Sequence, residues 1–239
     1  MWISIIVQVL IIILFSFLGW AIRYKKQYGL LSGFAGRSKG EQKELIENGY
    51  PQKSGTLLIL TALGMLILFP LVFTPFPYII EVQYGFMTVF LLGGIIYLSK
   101  YEVSEKRKKS YWFSTILTFV VIGFICVLMY IGYQPNELIV KEDTVEIAGM
   151  YGEIWKKEDF QKITLLEEMP KIISKENGFG TDMISKGHFN VASYGSSLLF
   201  IHNPSPYILI QTNDKPIFIN GRNPDQTHIW YEQLKKEIK

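Results

Sequence analysis

The sequence predicts a membrane protein in two parts: four transmembrane α-helices, followed by a β-rich barrel domain that one C-terminal helix caps. Three observations predict this fold class. Of the 239 residues 49% are hydrophobic, and the long apolar runs all lie within residues 1–133. Net charge is +6 over residues 1–133 and −3 over residues 134–239. In the second part, short apolar runs alternate with turn-forming residues, which is typical of β-structure.

Four segments without a charged side chain predict the helices of the first part. Each approaches the roughly 20 residues that cross a hydrocarbon core of about 30 Å. The first segment has no basic stretch before it, and Arg23, Lys25 and Lys26 follow it, so we expect a retained helix and not a cleaved signal peptide. The predicted spans cover approximately residues 2–22, 55–78, 82–99 and 111–133.

The connectors between the spans predict the orientation of the chain. Residues 23–53 contain seven Lys/Arg against three Glu, and residues 100–109 contain five against two. Basic connectors resist translocation and remain in the cytoplasm. We therefore expect residues 23–54 and 100–109 inside the cell. The N-terminus and the part of the chain from about Gln134 are then expected outside.

The first basic connector contains a predicted helix. Ser38-Lys39-Gly40-Glu41 has the S-x-x-E pattern of a capping box. The helix is expected to run to about Asn48 and to stop at Gly49.

The second basic connector ends in four consecutive cations. We interpret them as candidate contacts for anionic lipid headgroups, because each basic side chain near a membrane contributes roughly 1 kcal/mol to such binding. The alternative is that they only determine the topology. These residues are Lys106, Arg107, Lys108 and Lys109.

Residues 137–239 are predicted to form the β-rich domain. Six apolar segments predict strands at residues 137–140, 145–150, 163–166, 198–201, 207–210 and 217–219. Turn signals lie between them at Glu142-Asp143, Asn177-Gly178, Asn203 to Pro206 and Asn213-Asp214.

One amphipathic helix closes the chain. Asn223 is the predicted N-cap and Pro224 the first helical residue. Trp230, Leu234 and Ile238 recur every four residues on one face. Six or seven strands followed by one helix is the element order of a pleckstrin-homology-like (PH-like) barrel, in which the helix plugs an open end.

Several phrases of the second part resemble a known family. The segments "IAGMYGEIWKKEDFQKITLLEEMPKI", "NGFG", "SKGHF", "LLFIHNPSPYILIQTND" and "IFINGRNPDQTHIWYEQL" together resemble the bacterial PH-like domain of the sublancin immunity protein family. The resemblance covers nearly all of residues 137–238. In the first part, "YGLLSGFAGRSKGEQ" is similar to a family of small bacterial membrane proteins of unknown function.

The first resemblance implies a membrane protein of Gram-positive bacteria that protects its own cell against a bacteriocin. It implies no catalytic residue. The family's protein has a single span and a domain that faces the cytoplasm, whereas this chain has four predicted spans and a domain that charge places outside. The side of the membrane that the domain occupies is therefore open.

One loop of the domain is the predicted contact surface for a partner. Its glycines permit unusual backbone angles, and its two phenylalanines can anchor a partner. The alternative is a loop that joins two strands and packs its phenylalanines in the barrel. The loop between the first two strands, residues 141–144, is acidic, so phosphoinositide binding is not expected. The candidate residues are Asn177, Gly178, Phe179, Gly180, Lys186, Gly187, His188 and Phe189.

Enzymatic chemistry is not predicted. The three histidines, His188, His202 and His228, have no partner at metal-ligand spacing, and Cys126 lies in the fourth span as a small apolar residue. No cofactor motif is recognised, and no basic patch for nucleic acid lies away from the membrane.

Two functions remain. The first is an interaction protein that binds a peptide, lipid or protein partner, in bacteriocin immunity or envelope stress protection. The second is a transporter or permease subunit with a regulatory PH-like domain. The absence of ionisable residues from the predicted spans argues against the second.

Overall fold

A computed structural model describes residues 2–74, 76, 78–181, 183–202 and 206–237, with side chains from residue 5 onwards. Most of the predicted turn at Asn203 to Pro206 lies outside the described residues, as does Ile238 of the predicted apolar stripe. The chain divides into two compact units, residues 1–125 and 126–239, each of which has its own internal packing.

Six α-helices are present in the described residues. Those of the first unit are α1 (Trp2–Arg23), α2 (Lys39–Glu47), α3 (Tyr50–Leu68) and α4 (Ile79–Leu98). Helix α5 (Arg107–Tyr133) continues into the second unit, and α6 (Pro224–Glu237) closes it. Short 3-10 turns follow α3 at Phe69–Phe73 and α4 at Ser99–Tyr101.

Four of these helical segments are long and apolar enough to cross a membrane. They are Ile5–Arg23, Tyr50–Phe73, Ile79–Tyr101 and Arg107–Tyr133. The predicted membrane region is confirmed, with one difference at its second hairpin. Helix α4 begins at Ile79 and not at residue 82, so Glu81 lies in its first turn.

Helix α3 is central to the packing of the first unit, because it contacts both α1 and α4. Small residues permit this close approach, as they do in membrane helix pairs generally. A Cβ atom built on Gly64 of α3 would lie 2.2 Å from the ring of Phe86 in α4. Gly94 of α4 accommodates Leu57 of α3 in the same way, also at 2.2 Å.

The second unit contains nine strands in two sheets. A three-stranded sheet has the order β1-β2-β3, and a six-stranded sheet has the order β4-β8-β9-β7-β6-β5. All pairs are antiparallel except β7 and β9, which are parallel. The strands are β1 (Glu137–Val140), β2 (Thr144–Ala148), β3 (Ile154–Lys156), β4 (Phe160–Leu166), β5 (Ile172–Gly180), β6 (Ile184–Val191), β7 (Gly195–His202), β8 (Tyr207–Thr212) and β9 (Ile217–Ile219).

Two predictions for this unit are corrected. The domain has nine strands and not six or seven, because β3, β5 and β6 lack a regular apolar alternation. The predicted turn at Asn177-Gly178 is wrong, since both residues lie inside β5. Gly178 is required there by close packing: a Cβ on it would lie 2.4 Å from the carbonyl oxygen of Lys186.

The central strands of the six-stranded sheet are buried on both faces. On β7, Leu198 and Phe200 belong to one core cluster, while Leu199 and Ile201 belong to a second one. Runs of four apolar residues, such as 198–201, are the sequence signature of such doubly buried strands.

Helix α6 caps the domain as predicted. The Oδ1 atom of Asn223 accepts a hydrogen bond from the backbone N–H of Gln226 at 2.8 Å, which is the expected N-cap. Trp230 and Leu234 of α6 pack in the first core cluster. The predicted fold class, four membrane helices and a β-rich domain with one C-terminal helix, is confirmed.

Candidate functional site

Helix α2 forms where the capping box predicts it. The Oγ atom of Ser38 accepts a hydrogen bond from the backbone N–H of Glu41 at 3.3 Å, and the Glu41 carboxylate accepts one from the Ser38 N–H at 3.3 Å. Gly49 ends the helix with a φ of 81°, a left-handed conformation that favours glycine. Leu45 packs against Phe34 and Val103, so one face of α2 is docked on the second connector.

A buried carboxylate joins the two basic connectors. The side chain of Glu102 is only 8% exposed and accepts a hydrogen bond from the Arg37 guanidinium at 3.0 Å. Its other oxygen accepts a bond from the backbone N–H of Val103 at 3.0 Å. The Asn48 amide donates to the carbonyl oxygen of Glu102 at 3.4 Å. A buried charge requires such compensation, so these contacts fix the position of Glu102.

Two further carboxylates attach α2 to the second connector. Glu41 pairs with Lys106, and this hydrogen bond lowers the pKa of the Glu41 carboxyl below its usual value. Glu44 accepts hydrogen bonds from the backbone N–H and the hydroxyl of Ser104, each at 2.7 Å. The bond from the backbone of Ser104 is the main reason that the pKa of Glu44 is lowered. We call Arg37, Glu41, Glu44, Asn48, Glu102, Ser104 and Lys106 the connector cluster.

The connector cluster divides the four predicted headgroup contacts into two pairs. Lys106 is engaged by Glu41, and Arg107 donates to the carbonyl oxygen of Glu102 at 3.4 Å. Lys108 and Lys109 are exposed in the first turn of α5. The first pair therefore has a structural role within the protein, and the prediction of lipid contact is best placed on Lys108 and Lys109.

All eight predicted partner-binding residues lie on one hairpin, formed by β5 and β6. Asn177 pairs with His188, Gly178 with Gly187, and Phe179 with Lys186 in the strand register. The sequence therefore identified residues that the fold brings together, although they form strands and not a loop.

These eight residues differ in how deeply they are buried. Lys186, Gly187 and Phe189 are buried, and Phe179 packs edge-to-face on Tyr133 at a ring distance of 5.9 Å. The predicted alternative, in which the phenylalanines pack internally, describes these two side chains. The exposed residues of the hairpin are Gly180 and one continuous stretch of β5, formed by Ile173, Ser174, Lys175, Glu176 and Asn177.

Two titratable groups of this domain lie in partly or fully buried surroundings, Lys186 on β6 and His202 at the end of β7. The Lys186 side chain is fully buried, and its amine donates to the carbonyl oxygen of Gln134. Burial lowers the pKa of Lys186 to about 8. Burial also lowers the pKa of His202 to about 4, assisted by the charges of Lys186 and Arg222. These groups titrate far from their usual range because charge is costly inside the domain.

A cavity of about 340 Å³ lies beside β5 and reaches the second core cluster. Met169, Ile172 and Ile201 line the cavity and also pack with that cluster, so its floor is apolar. Met183 and Ile184 complete the apolar wall, while Lys171 and Thr181 supply polar groups. Neither strand patterning nor a motif indicated this cavity, because its walls come from chain segments that are distant in sequence.

Within the part of the chain that the structure describes, no group of three or more His, Cys, Asp or Glu is placed to hold a metal ion. The expectation that the chain is not an enzyme stays a prediction.

Comparison with known proteins assigns part of the first unit. The model of a domain of unknown function, DUF3784, matches residues 9–102. The match begins within α1, covers α2 to α4 and the segment "YGLLSGFAGRSKGEQ", and ends at Glu102, the buried carboxylate of the connector cluster. No curated protein and no solved structure matches the chain. The chain is thus a multi-pass membrane protein whose residues 9–102 are similar to DUF3784.

Proposed function

We propose that this chain is a non-enzymatic membrane protein whose PH-like domain binds an extended peptide segment of a partner, in bacteriocin immunity or envelope stress protection. The observation that carries the proposal is the position of β5. This strand is an edge of the six-stranded sheet, and the cavity opens beside it. A peptide can add a strand to such an edge and place a side chain in the neighbouring pocket.

The exposed stretch of β5 suits this role by its chemistry. Ile173 is 58% exposed, which offers an apolar contact on a strand whose other exposed side chains are polar or charged. Two register irregularities interrupt the pairing of β5 with β6, between Ile172 and Ser174 and between Lys175 and Asn177. Such bulges protect an edge against indiscriminate pairing, so a partner has to match a specific shape.

Residues 137–238 support the immunity version of the proposal through their resemblance to the sublancin immunity family. The first unit then serves as the anchor that keeps the domain at the membrane. The charge of the connectors favours a domain outside the cell, where it would meet an incoming peptide, whereas the family resemblance favours the cytoplasm.

The experiment is a complementation test in a strain that lacks the protein. We expect the deletion to increase sensitivity to at least one member of a panel of bacteriocins and envelope antibiotics. Wild type and Ile154→Asp restore resistance, and Ile173→Asp does not. Ile154 is a matched control, because it is 62% exposed on β3 of the other sheet. Unchanged sensitivity of the deletion strain across the whole panel would remove the immunity role.

A second measurement tests binding independently of the phenotype. A photo-crosslinking amino acid at Lys175 should capture a discrete partner in cells, while the same group at Ile154 should not. Equal crosslinking at the two positions would contradict a binding edge at β5.

A further inference from the structure

A groove lies between α3 and α4 in the first unit, apart from every residue discussed as a partner contact. Its volume is about 450 Å³. Thr56, Leu57 and Leu60 of α3 form one wall, and Phe90, Gly93 and Tyr97 of α4 form the other. Both helices belong to membrane-spanning segments, so the groove faces the acyl region of the bilayer.

Glycine creates the open space of the groove. A Cβ atom built on Gly93 would meet no atom within 4 Å, whereas one on Gly94 would lie 2.2 Å from Leu57. Gly94 therefore brings the two helices together, and Gly93 leaves room beside their contact. The groove extends for roughly 10 Å along α3, because its lining residues Lys53 and Leu60 are seven positions apart at 1.5 Å per residue.

The mouth of the groove is cationic. Lys53 lines it, and its amine lies 5.7 Å from the centre of the Tyr101 ring. The Arg23 guanidinium donates a hydrogen bond to the hydroxyl of Thr56, which also lines the groove. Tyr97 and Tyr101 share a hydrogen bond at 2.7 Å. Lys53, Arg23 and the Thr56 hydroxyl thus lie at the end of the groove nearest the membrane surface, and the rest of the groove is mainly apolar.

We propose that this groove binds one anionic phospholipid. Its phosphate is held by Lys53 and by Arg23, which Thr56 positions through its hydroxyl, and one acyl chain lies along Leu57, Leu60 and Phe90 beside Gly93. The pattern of charges favours this occupant: salt bridges occupy Arg37 and Lys106, but no ion pair within the described residues engages Lys53. A phosphate oxygen is the complementary acceptor for such a free ammonium group and a neighbouring guanidinium.

The test measures lipid retained by the full-length protein in detergent micelles that contain equal amounts of phosphatidylglycerol and phosphatidylcholine. Native mass spectrometry counts the bound lipids. We expect wild type to retain one phosphatidylglycerol in preference to phosphatidylcholine. Lys53→Gln should weaken this binding about fivefold, the effect of one basic side chain at a membrane surface. Lys39→Gln, an exposed cation of α2 outside the groove, should change it less than about twofold.

Filling the groove tests its acyl part. Gly93→Leu should abolish the retained phosphatidylglycerol, while Gly85→Leu, also in open space on α4, should leave it in place. Equal losses for Lys53→Gln and Lys39→Gln would overturn the proposal in favour of general surface attraction. Retention in the Gly93→Leu protein, or displacement of the lipid by millimolar inorganic phosphate, would also overturn it. Unaltered thermal unfolding of the two Leu variants is the control for folding.

Discussion

Gly19 of α1 and Gly55 of α3 face one another at the crossing of their helices. A Cβ atom built on Gly19 would lie 2.7 Å from the carbonyl oxygen of Gly55, and one on Gly55 would lie 2.8 Å from that of Gly19. The contact is reciprocal, so each backbone depends on the absence of a side chain on the other. This arrangement is a common means of close helix packing in membranes, where backbone proximity replaces the hydrophobic effect.

Gly55→Val is therefore expected to separate α1 from α3. The added methyl groups meet backbone atoms, which cannot move aside as a flexible side chain would. The destabilisation should be about 2 kcal/mol, a typical value for overpacking. Thermal unfolding in micelles provides the measurement, and Gly123→Val is the control, since a Cβ there meets nothing within 4 Å. Equal unfolding temperatures for the two variants would contradict the crossing.

Glu102→Ala is expected to release α2 from the second connector. The change removes the acceptor of Arg37 and of the Val103 N–H, and it leaves the guanidinium without its partner. Hydrogen–deuterium exchange should become about tenfold faster in residues 40–47, because a hydrogen bond to a charged group contributes about 1.5–3 kcal/mol. Glu105→Ala alters an exposed carboxylate nearby and should not change this exchange. Unchanged exchange in the Glu102 variant would show that α2 is held by its apolar contacts alone.

The β-rich domain is expected to lose stability in mild acid because of His202. The pKa of His202 is about 4 in the folded protein and about 6.5 when unfolded. The unfolded chain therefore binds the proton first, and the stability that this residue contributes falls as pH decreases from about 6.5 to about 4. Because His202 is only half-buried, solvent screening reduces the loss below the full 1.36 kcal/mol per pKa unit, to about 1 kcal/mol.

His202→Gln should reduce this acid dependence. Thermal unfolding of the full-length protein at pH 7.5, 5.5 and 4.5 measures it, with His228→Gln on the exposed face of α6 as control. If the two variants lost stability equally on acidification, His202 would not be the responsible group.

The orientation of the domain is the fourth prediction. In a Cys126→Ser background, we expect Asp214→Cys to react with a membrane-impermeant maleimide in intact cells and Lys39→Cys to react only after lysis. Both positions are exposed, Asp214 with 84% of its side chain accessible. Protection of Asp214→Cys in intact cells would place the domain in the cytoplasm, as the family resemblance implies.

Local signals explain which elements the sequence predicted. The membrane helices follow from uncharged runs, α2 from the S-x-x-E box and α6 from Asn223-Pro224. Strand β5 was missed because its edge position removes the apolar alternation, and β6, which lies between β5 and β7, was missed because polar residues interrupt its pattern. The exposed stretch 173–177 contains one apolar residue, and β6 buries Lys186 at a position where a strand pattern would contain an apolar side chain.

The candidate sites depended on contacts between distant residues and were less predictable. Arg37 and Glu102 are separated by 65 positions, and nothing in either local sequence indicates the other. A weak signal was present, since Glu102 is followed directly by an apolar residue that is also buried, Val103. The eight hairpin residues were grouped correctly because glycines and phenylalanines cluster in two short segments, but their burial could not be derived from spacing.

The separation of Arg37 and Glu102 also orders events during synthesis. A ribosome that adds 5–20 residues per second needs roughly 3–13 s to travel the 65 positions between them. The capping box of α2 is complete within four residues, so this helix can form as soon as it emerges. Its partners in the second connector do not yet exist, so Arg37 has only the i,i+4 contact with Glu41, at 3.6 Å, while the next two spans enter the membrane. Arg37 can thus have two successive roles. Its charge first helps to retain the connector in the cytoplasm, and its salt bridge with Glu102 later stabilises the folded protein.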